Sequence, residues 1–215
     1  MVGRILAHLK ARGVLREPPR YGVWVRKRPR PRPYAIRKPR DYRVERPGDL
    51  VQVDTLDVGP LPGAVFKHFS ARDMICRWDV LEVHRQATAT TAKDFLDTLL
   101  ARLSFPLKAI QVAGGSEFEA AFEEACQERS IRLFVLLPHS PKLNGYVGRA
   151  HRTYAEEFYE VYDGGLEISS VNQALRKWET VYNTVRPHHA LDGLTLAEYL
   201  NKCHPESTPK LSHMY

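Results

Sequence analysis

Cysteine is scarce in this chain: 3 in 215 residues, at Cys76, Cys126 and Cys203, with no CxxC pair. That excludes a disulfide-stapled scaffold and a zinc finger, and it fits a reducing compartment. No apolar run approaches the roughly 20 residues a membrane-spanning helix needs. Met1–Leu9 lacks the apolar core of a secretory signal, and internal repeats are absent. Negative charge is almost missing from one stretch. Between Arg16 and Arg46 only Glu17, Asp41 and Glu45 stand against 12 basic residues, a net +9 where the whole chain carries +7. Prolines at 18, 19, 29, 31, 33 and 39 exclude a helix there and favour extended chain. These absences leave a soluble intracellular protein with a polyanionic partner.

What is present divides the chain in four. Residues 1–15 begin with Val2, Ile5, Leu6 and Leu9 at helical spacing, and Gly13 is placed to stop the helix. One amphipathic helix cannot bury its stripe alone; it either docks on the core or is the remnant of a helical domain, the reading preferred here. Residues 16–46 are the basic linker. Tyr21, Trp24 and Tyr34 are interleaved with its charge, among them Arg26, Lys27, Arg28 and Arg30. Such a mixture suits a nucleic-acid backbone and its bases, and equally a solvated linker. Residues 47–204 form the core, and the tail 205–215 reads as disordered. From residue 47 onward the chain holds 17 basic and 22 acidic residues. The core is therefore no generic DNA-coating surface.

Within the core, Leu50–Val58, Ala64–Asp73 and Trp78–His84 read as strands able to form an antiparallel meander. Thr90–Leu103 is expected as a helix capped by Thr88 or Thr90. Strands at Leu107–Val112 and Ile131–Leu137 enclose a helix at about Glu119–Arg129. Helices follow at Tyr146–Tyr162 and Ser169–Tyr182, and Thr195–Glu198 has capping-box spacing for a last one. The order βββαβαβα implies an α/β fold, a mixed sheet covered by helices on both faces.

The first strand carries Asp54 at its centre. Burying an ionised carboxylate is costly without a partner. Three readings stand: a structural Asp satisfied by a neighbouring cation or amide, a metal ligand or general base, and an exposed strand end.

Four stretches occur in a telling order: Leu50-Val-Gln-Val-Asp-Thr55, Ile110-Gln-Val-Ala-Gly-Gly-Ser-Glu-Phe118, Ser140-Pro-Lys-Leu-Asn-Gly-Tyr-Val-Gly-Arg-Ala-His-Arg152 and Tyr182-Asn-Thr-Val-Arg-Pro-His-His-Ala-Leu191. Together they resemble the integrase-core (DDE) transposases of bacterial insertion sequences, nearest the IS481-like group within the wider IS3-like set, and the retroviral-type integrases. The resemblance spans about Arg46–Leu200. It implies a ribonuclease-H-like fold with a five-stranded mixed sheet, and an N-terminal helix-turn-helix region of which residues 1–15 would be the end. It also implies double-stranded DNA as partner, a homo-oligomer, and a cytoplasmic, nucleoid-associated setting. Its chemistry would be phosphoryl transfer assisted by paired Mg²⁺ or Mn²⁺ ions held by three carboxylates.

Here the sequence departs from the pattern. Asp54 fills the first acidic position, but the second falls on Ala113 and the third on Gly148. The 35-residue separation is that of the family, so the frame is kept while two ligands are missing. Glu117, Asp57, Glu156 and Glu157 are the carboxylates near enough in sequence to be weighed as substitutes. Asp57 lies 3 along from Asp54 and so points to the other strand face. By the same resemblance, Lys142, Asn144, Arg149, His151, Arg152 and Arg186 are DNA-contact candidates, each with an ordinary polar-surface alternative. Arg186, His188 and His189 make a poor metal cluster, since Pro187 interrupts them and no suitably spaced partner is present. The expected function is a transposase-core protein that binds DNA and is catalytically defective as written. The rivals are an active strand transferase with an unorthodox ligand set and a non-catalytic self-association module.

Overall fold

The computed structural model describes residues 8, 11–14, 32, 34–61, 64–136 and 145–205. The chain separates into two compact units, Met1–Pro31 and Arg32–Tyr215. In the first, Arg12 donates its amide to the His8 carbonyl (3.1 Å), and Gly13 adopts a φ of +70°. That is the left-handed helix stop expected of this glycine. The remainder of the expected N-terminal helix, and Arg26, Lys27, Arg28 and Arg30, lie outside the described residues.

The second unit contains the sheet. β1 (Val51–Leu61), β2 (Ala64–Asp73) and β3 (Asp79–His84) form the antiparallel meander, then α1 (Ala89–Arg102) leads to β4 (Ala109–Val112), and α2 (Ala121–Glu128) to β5 (Arg132–Val135). The order across the sheet is β3-β2-β1-β4-β5, with β1–β4 and β4–β5 parallel. α3 (Gly145–Tyr154), a π-helical turn at Ala155–Tyr159, α4 (Ile168–Thr184) and α5 (Leu196–Cys203) follow. Thr88 caps α1 and Thr195 caps α5, each in a reciprocal capping box that satisfies two orphan amides. The long helix expected to Tyr162 changes character after Tyr154, where the Glu160 amide reaches back five residues to Ala155. The wider turn brings Tyr159 onto His68 (2.6 Å) and Phe158 beside Trp178.

Strand alternation gives the sheet two unlike faces. One is apolar: Val51, Val53, Phe69, Ala71, Val80, Ile110 and Val112 pack with Phe95, Leu96 and Leu99 of α1 and Phe122 and Ala125 of α2. The other carries Gln52, Asp54, His68, Ser70, Arg72, Asp79 and Gln111, since cross-strand partners share a side. α3, the π turn and α4 cover it, adding a smaller cluster around Leu81, Val83, Tyr154 and Leu175.

Both sheet edges are closed. On β3 the outward amides of Asp79, Leu81 and Val83 donate to Asn183, Glu179 and Asn172 of α4, at 3.1, 2.8 and 2.8 Å. These three side chains share one face of α4, so a helix replaces the missing strand and the edge cannot pair with another chain. At the β5 edge the basic stretch does similar work. Ile36 donates to Leu133 O (3.0 Å) and accepts from Val135 N (2.8 Å), while Tyr34 and Ala35 donate their amides to Glu123 Oε1 (2.8 and 2.7 Å). The compact unit thus begins at Arg32, and the second half of the stretch expected as free linker is docked along β5. Its one extended bridge gains backbone partners that an isolated proline-rich chain lacks.

Candidate functional site

Asp54 sits where β1 passes between β2 and the end of β4. Val53 pairs with Val112, so Asp54 and Ala113 are next in register, on neighbouring strands about 4.8 Å apart. Asp54 is half-buried and its Oδ1 accepts the Thr55 amide at 3.0 Å.

Two contacts fix α3 over this point. The Val147 amide, one of the orphan donors of the first turn, points to Oε1 of buried Gln52 at 3.4 Å. His151 Nε2 meets Ser70 Oγ at 2.9 Å, and Ser70 is the cross-strand partner of Asp54. Gly148 lies between these anchors on the outer side of the helix. It is exposed, and a β-carbon added there would meet nothing within 4 Å. Asp54 and Ala113 are thus neighbours, and α3, which carries Gly148, lies over the same face of the sheet.

His151 departs from its expected role. Val147, His151 and Tyr154 form the inward stripe of α3, whereas Gly148 and Arg152 form the outward one. Burial, reinforced by the nearby Arg72 guanidinium, lowers the His151 pKa to about 4, so the ring is neutral at pH 7. Burial lowers that of His68 to about 3. Arg149 is exposed, and Arg152 is exposed but paired with Glu156 at 2.6 Å. Arg186 lies over the Tyr182 ring (5.0 Å) and pairs with Glu157, while His188 Nε2 meets Tyr182 O at 3.1 Å. The Arg186–His188 segment is held by packing and pairing. Lys142 and Asn144 lie outside the described residues.

The residues present do not fit a paired-metal site. Among the described residues no group of three or more His, Cys, Asp or Glu is placed to hold an ion. Three of the four carboxylates weighed as substitutes are engaged elsewhere. Asp57 pairs with Lys67 (2.7 Å), Glu156 with Arg152 and Glu157 with Arg186. Glu117 folds against Gly115, so closely that a β-carbon there would come within 2.5 Å of both carboxylate oxygens.

The anchors Gln52 and Ser70 escaped the sequence reading, although strict alternation in Val51-Gln-Val-Asp54 already puts Gln52 on the face of Asp54. Arg77 stacking over Tyr146 at 4.1 Å, beside the start of α3, had no local signal.

A five-stranded mixed sheet in this order, flanked by helices, is the ribonuclease-H-like fold of integrase catalytic cores. Residues 129–195 match the model of the integrase core domain. The chain is similar to a chain of the simian T-cell lymphotropic virus intasome in complex with PP2A regulatory subunit B56 gamma. Identity is 20% with a TM-score of 0.63, over 84% of this chain and 60% of that one. The chain thus spans about 60% of the length of that intasome chain. It is also similar to the BIV integrase catalytic core domain, at 21% identity and a TM-score of 0.56, over 73% of this chain and 97% of the other. The HTLV-2 integrase catalytic core domain in complex with magnesium gives 15% and 0.57, over 71% and 95%. No curated protein matches the sequence. No helix among the described residues is long and apolar enough to cross a membrane.

Proposed function

We propose that this chain is an integrase-core protein of the insertion-sequence transposase type, binding double-stranded DNA as a homo-oligomer, with its phosphoryl-transfer site disabled. The observation that carries the reading is the adjacency of Asp54 and Ala113 on paired strands beneath α3, which carries Gly148, with a side-chain oxygen at only one of the three positions. The frame supports descent from a metal-dependent strand transferase, and the side chains support loss of its ions. Divalent Mg²⁺ or Mn²⁺ needs several anionic oxygens to offset dehydration. Asp54 alone supplies too few for a paired site.

The test is calorimetry with Mg²⁺ and Mn²⁺ beside a plasmid-nicking assay of the unaltered chain. The expected result is no stoichiometric sub-millimolar binding, no nicking, and salt-dependent binding to duplex. Tight binding abolished by Asp54→Ala would show that another ligand completes the site, the active-transferase alternative. Absence of any salt-dependent DNA binding would favour a self-association module.

A further inference from the structure

We propose that the cleft at the starts of β4 and β5 is a second nucleic-acid surface, one that takes the phosphate backbone of DNA against Arg43 and Arg132. The inference rests on the DNA-binding reading above and adds a location to it.

The cleft has a volume of about 690 Å³ and opens between the docked basic stretch and the starts of β4 and β5. Lys108 precedes β4 and Arg132 begins β5, whereas Ala113 follows β4. Five residue steps separate Lys108 from Ala113, roughly 16 Å along the strand. The cleft is thus distinct from the Asp54 end.

Its wall is built in advance. Tyr42 packs edge-on against Phe134 at 4.9 Å, donates its hydroxyl to Asp49 O at 2.7 Å, and lies under the Arg132 guanidinium at 5.6 Å. The Asp49 carboxylate is committed: Oδ1 takes Lys108 Nζ at 2.7 Å, and Oδ2 takes the Glu45 and Arg46 amides at 3.0 and 2.8 Å. Asp49 and Lys108 neutralise one another, so the net charge of the cleft rests on the guanidinium groups around them.

Positive charge is in excess around this wall. Arg132 has no acidic partner among the described residues, and Arg43 faces only Glu45, at 3.7 Å with both side chains exposed. Arg37, Lys38, Arg40 and Arg46 stand exposed on the same stretch without an acidic partner among the described residues. Against them the lining offers one further carboxylate, Asp41. From residue 47 onward the chain carries more acid than base, so a concentrated basic cleft there is local. A guanidinium over an aromatic ring, as Arg132 is over Tyr42, beside a second exposed guanidinium suits phosphodiester oxygens and the adjacent sugar or base.

The experiment uses the full chain. Arg43→Gln with Arg132→Gln should lower the slope of log affinity against log salt for duplex DNA by about two, because each lost phosphate contact removes roughly 0.9. Affinity at moderate salt should fall about tenfold or more. Lys177→Gln with Lys202→Gln, exposed positions on α4 and α5, should leave the slope unchanged. Lysine acylation under saturating duplex should protect Lys38 and Lys108 but not Lys177. Arg43→Gln alone, at an exposed side chain, supplies the same comparison if the pair unfolds.

Equal slope changes for both pairs, or free labelling of Lys38 and Lys108 in the DNA complex, overturn the inference while the DNA-binding reading stands. A parent chain that binds no duplex at any salt overturns both. Equal protection by inorganic polyphosphate at matched charge overturns the assignment to nucleic acid.

Discussion

Ala113→Asp together with Gly148→Glu should rebuild the acidic set, at a stability cost that can be worked from the structure. Gly148 is exposed with open space around its α-carbon, so the new side chain meets no steric barrier. Helix propensity should contribute about 0.5–1 kcal/mol. The position is the fourth residue of α3, where the helix dipole favours a carboxylate by a few tenths of a kcal/mol. Ala113 continues the face of Gln111, the side that carries Asp54. The opposing term is repulsion. Two carboxylates about 5 Å apart at an effective dielectric near 20 repel by roughly 3 kcal/mol, more than the helix gains. The metal-free double variant should therefore melt several degrees below the parent, at about 2–4 °C per kcal/mol for a chain of this size. Divalent ions should reverse the loss: at a hundredfold excess over Kd, binding stabilises by about 2.7 kcal/mol. The assay is thermal unfolding with and without Mn²⁺, then nicking of supercoiled plasmid and oligonucleotide strand transfer, for the parent, both singles and the double, with Asp54→Asn in the double as control. Each single should do little, because ligands that act as one unit are grossly non-additive. Nicking by the parent would refute the defective-site reading. A folded double variant with neither a Mn²⁺ shift nor nicking would refute the claim that the frame around the two positions is intact.

Elsewhere in the molecule, deleting residues 1–31, which hold 9 basic residues and 1 acidic one, should lower the salt dependence of DNA binding without abolishing it. Extending the deletion to residue 46 should lower stability by roughly 3 kcal/mol or more, since the Tyr34, Ala35 and Ile36 hydrogen bonds are worth about 1 kcal/mol each; equal melting temperatures for both deletions would show that the docked stretch contributes nothing. His68 and His151 have folded pKa values depressed to about 3 and about 4, so between pH 6.5 and those values only the unfolded chain binds their protons and stability falls with pH, by about 2 kcal/mol each from pH 7 to pH 5. Glu179 works the other way: burial outweighs Arg176 and Arg102 and raises its pKa to about 7, so protonation of the folded state returns about 2 kcal/mol over the same interval. Glu179→Gln should therefore steepen the acid loss in urea unfolding at pH 7 and pH 5, and an unchanged pH dependence would contradict the assignment. Asn183→Ala strips both hydrogen bonds to the Asp79 backbone at 3.1 and 2.8 Å and should cost about 2–3 kcal/mol, read as a lowered urea midpoint.

Much of the fold was legible because its signals are local. The alternating run around Asp54, the apolar stripe of α1 and the Thr88 and Thr195 caps depend on neighbours within a few residues. They recovered most elements to within a few positions, and Ala64–Asp73 without error. The π turn after Tyr154 was not legible, because its cause is tertiary: Tyr159 and Phe158 find partners on β2 and α4. His151 shows the limit of helical arithmetic. Three residues advance a helix by about 300°, so His151 and Gly148 are neighbours on adjoining stripes, and the sheet beneath decides which stripe is buried. Ser70, 81 residues away in sequence, meets the inward-facing ring.

The sequence by itself determined the class of fold and the order of the elements, and it named Asp54, Ala113 and Gly148 as the positions to compare. It also determined that two of those positions have no side-chain oxygen, since side-chain chemistry needs no coordinates. The tertiary structure decided where the basic stretch stops being linker, how both sheet edges are closed, and which carboxylates are engaged elsewhere. Those outcomes depend on pairings such as Tyr34 with Glu123 and Leu81 with Glu179, across 89 and 98 residues. No local periodicity encodes contacts at that separation; they form only once the sheet and the helices have packed.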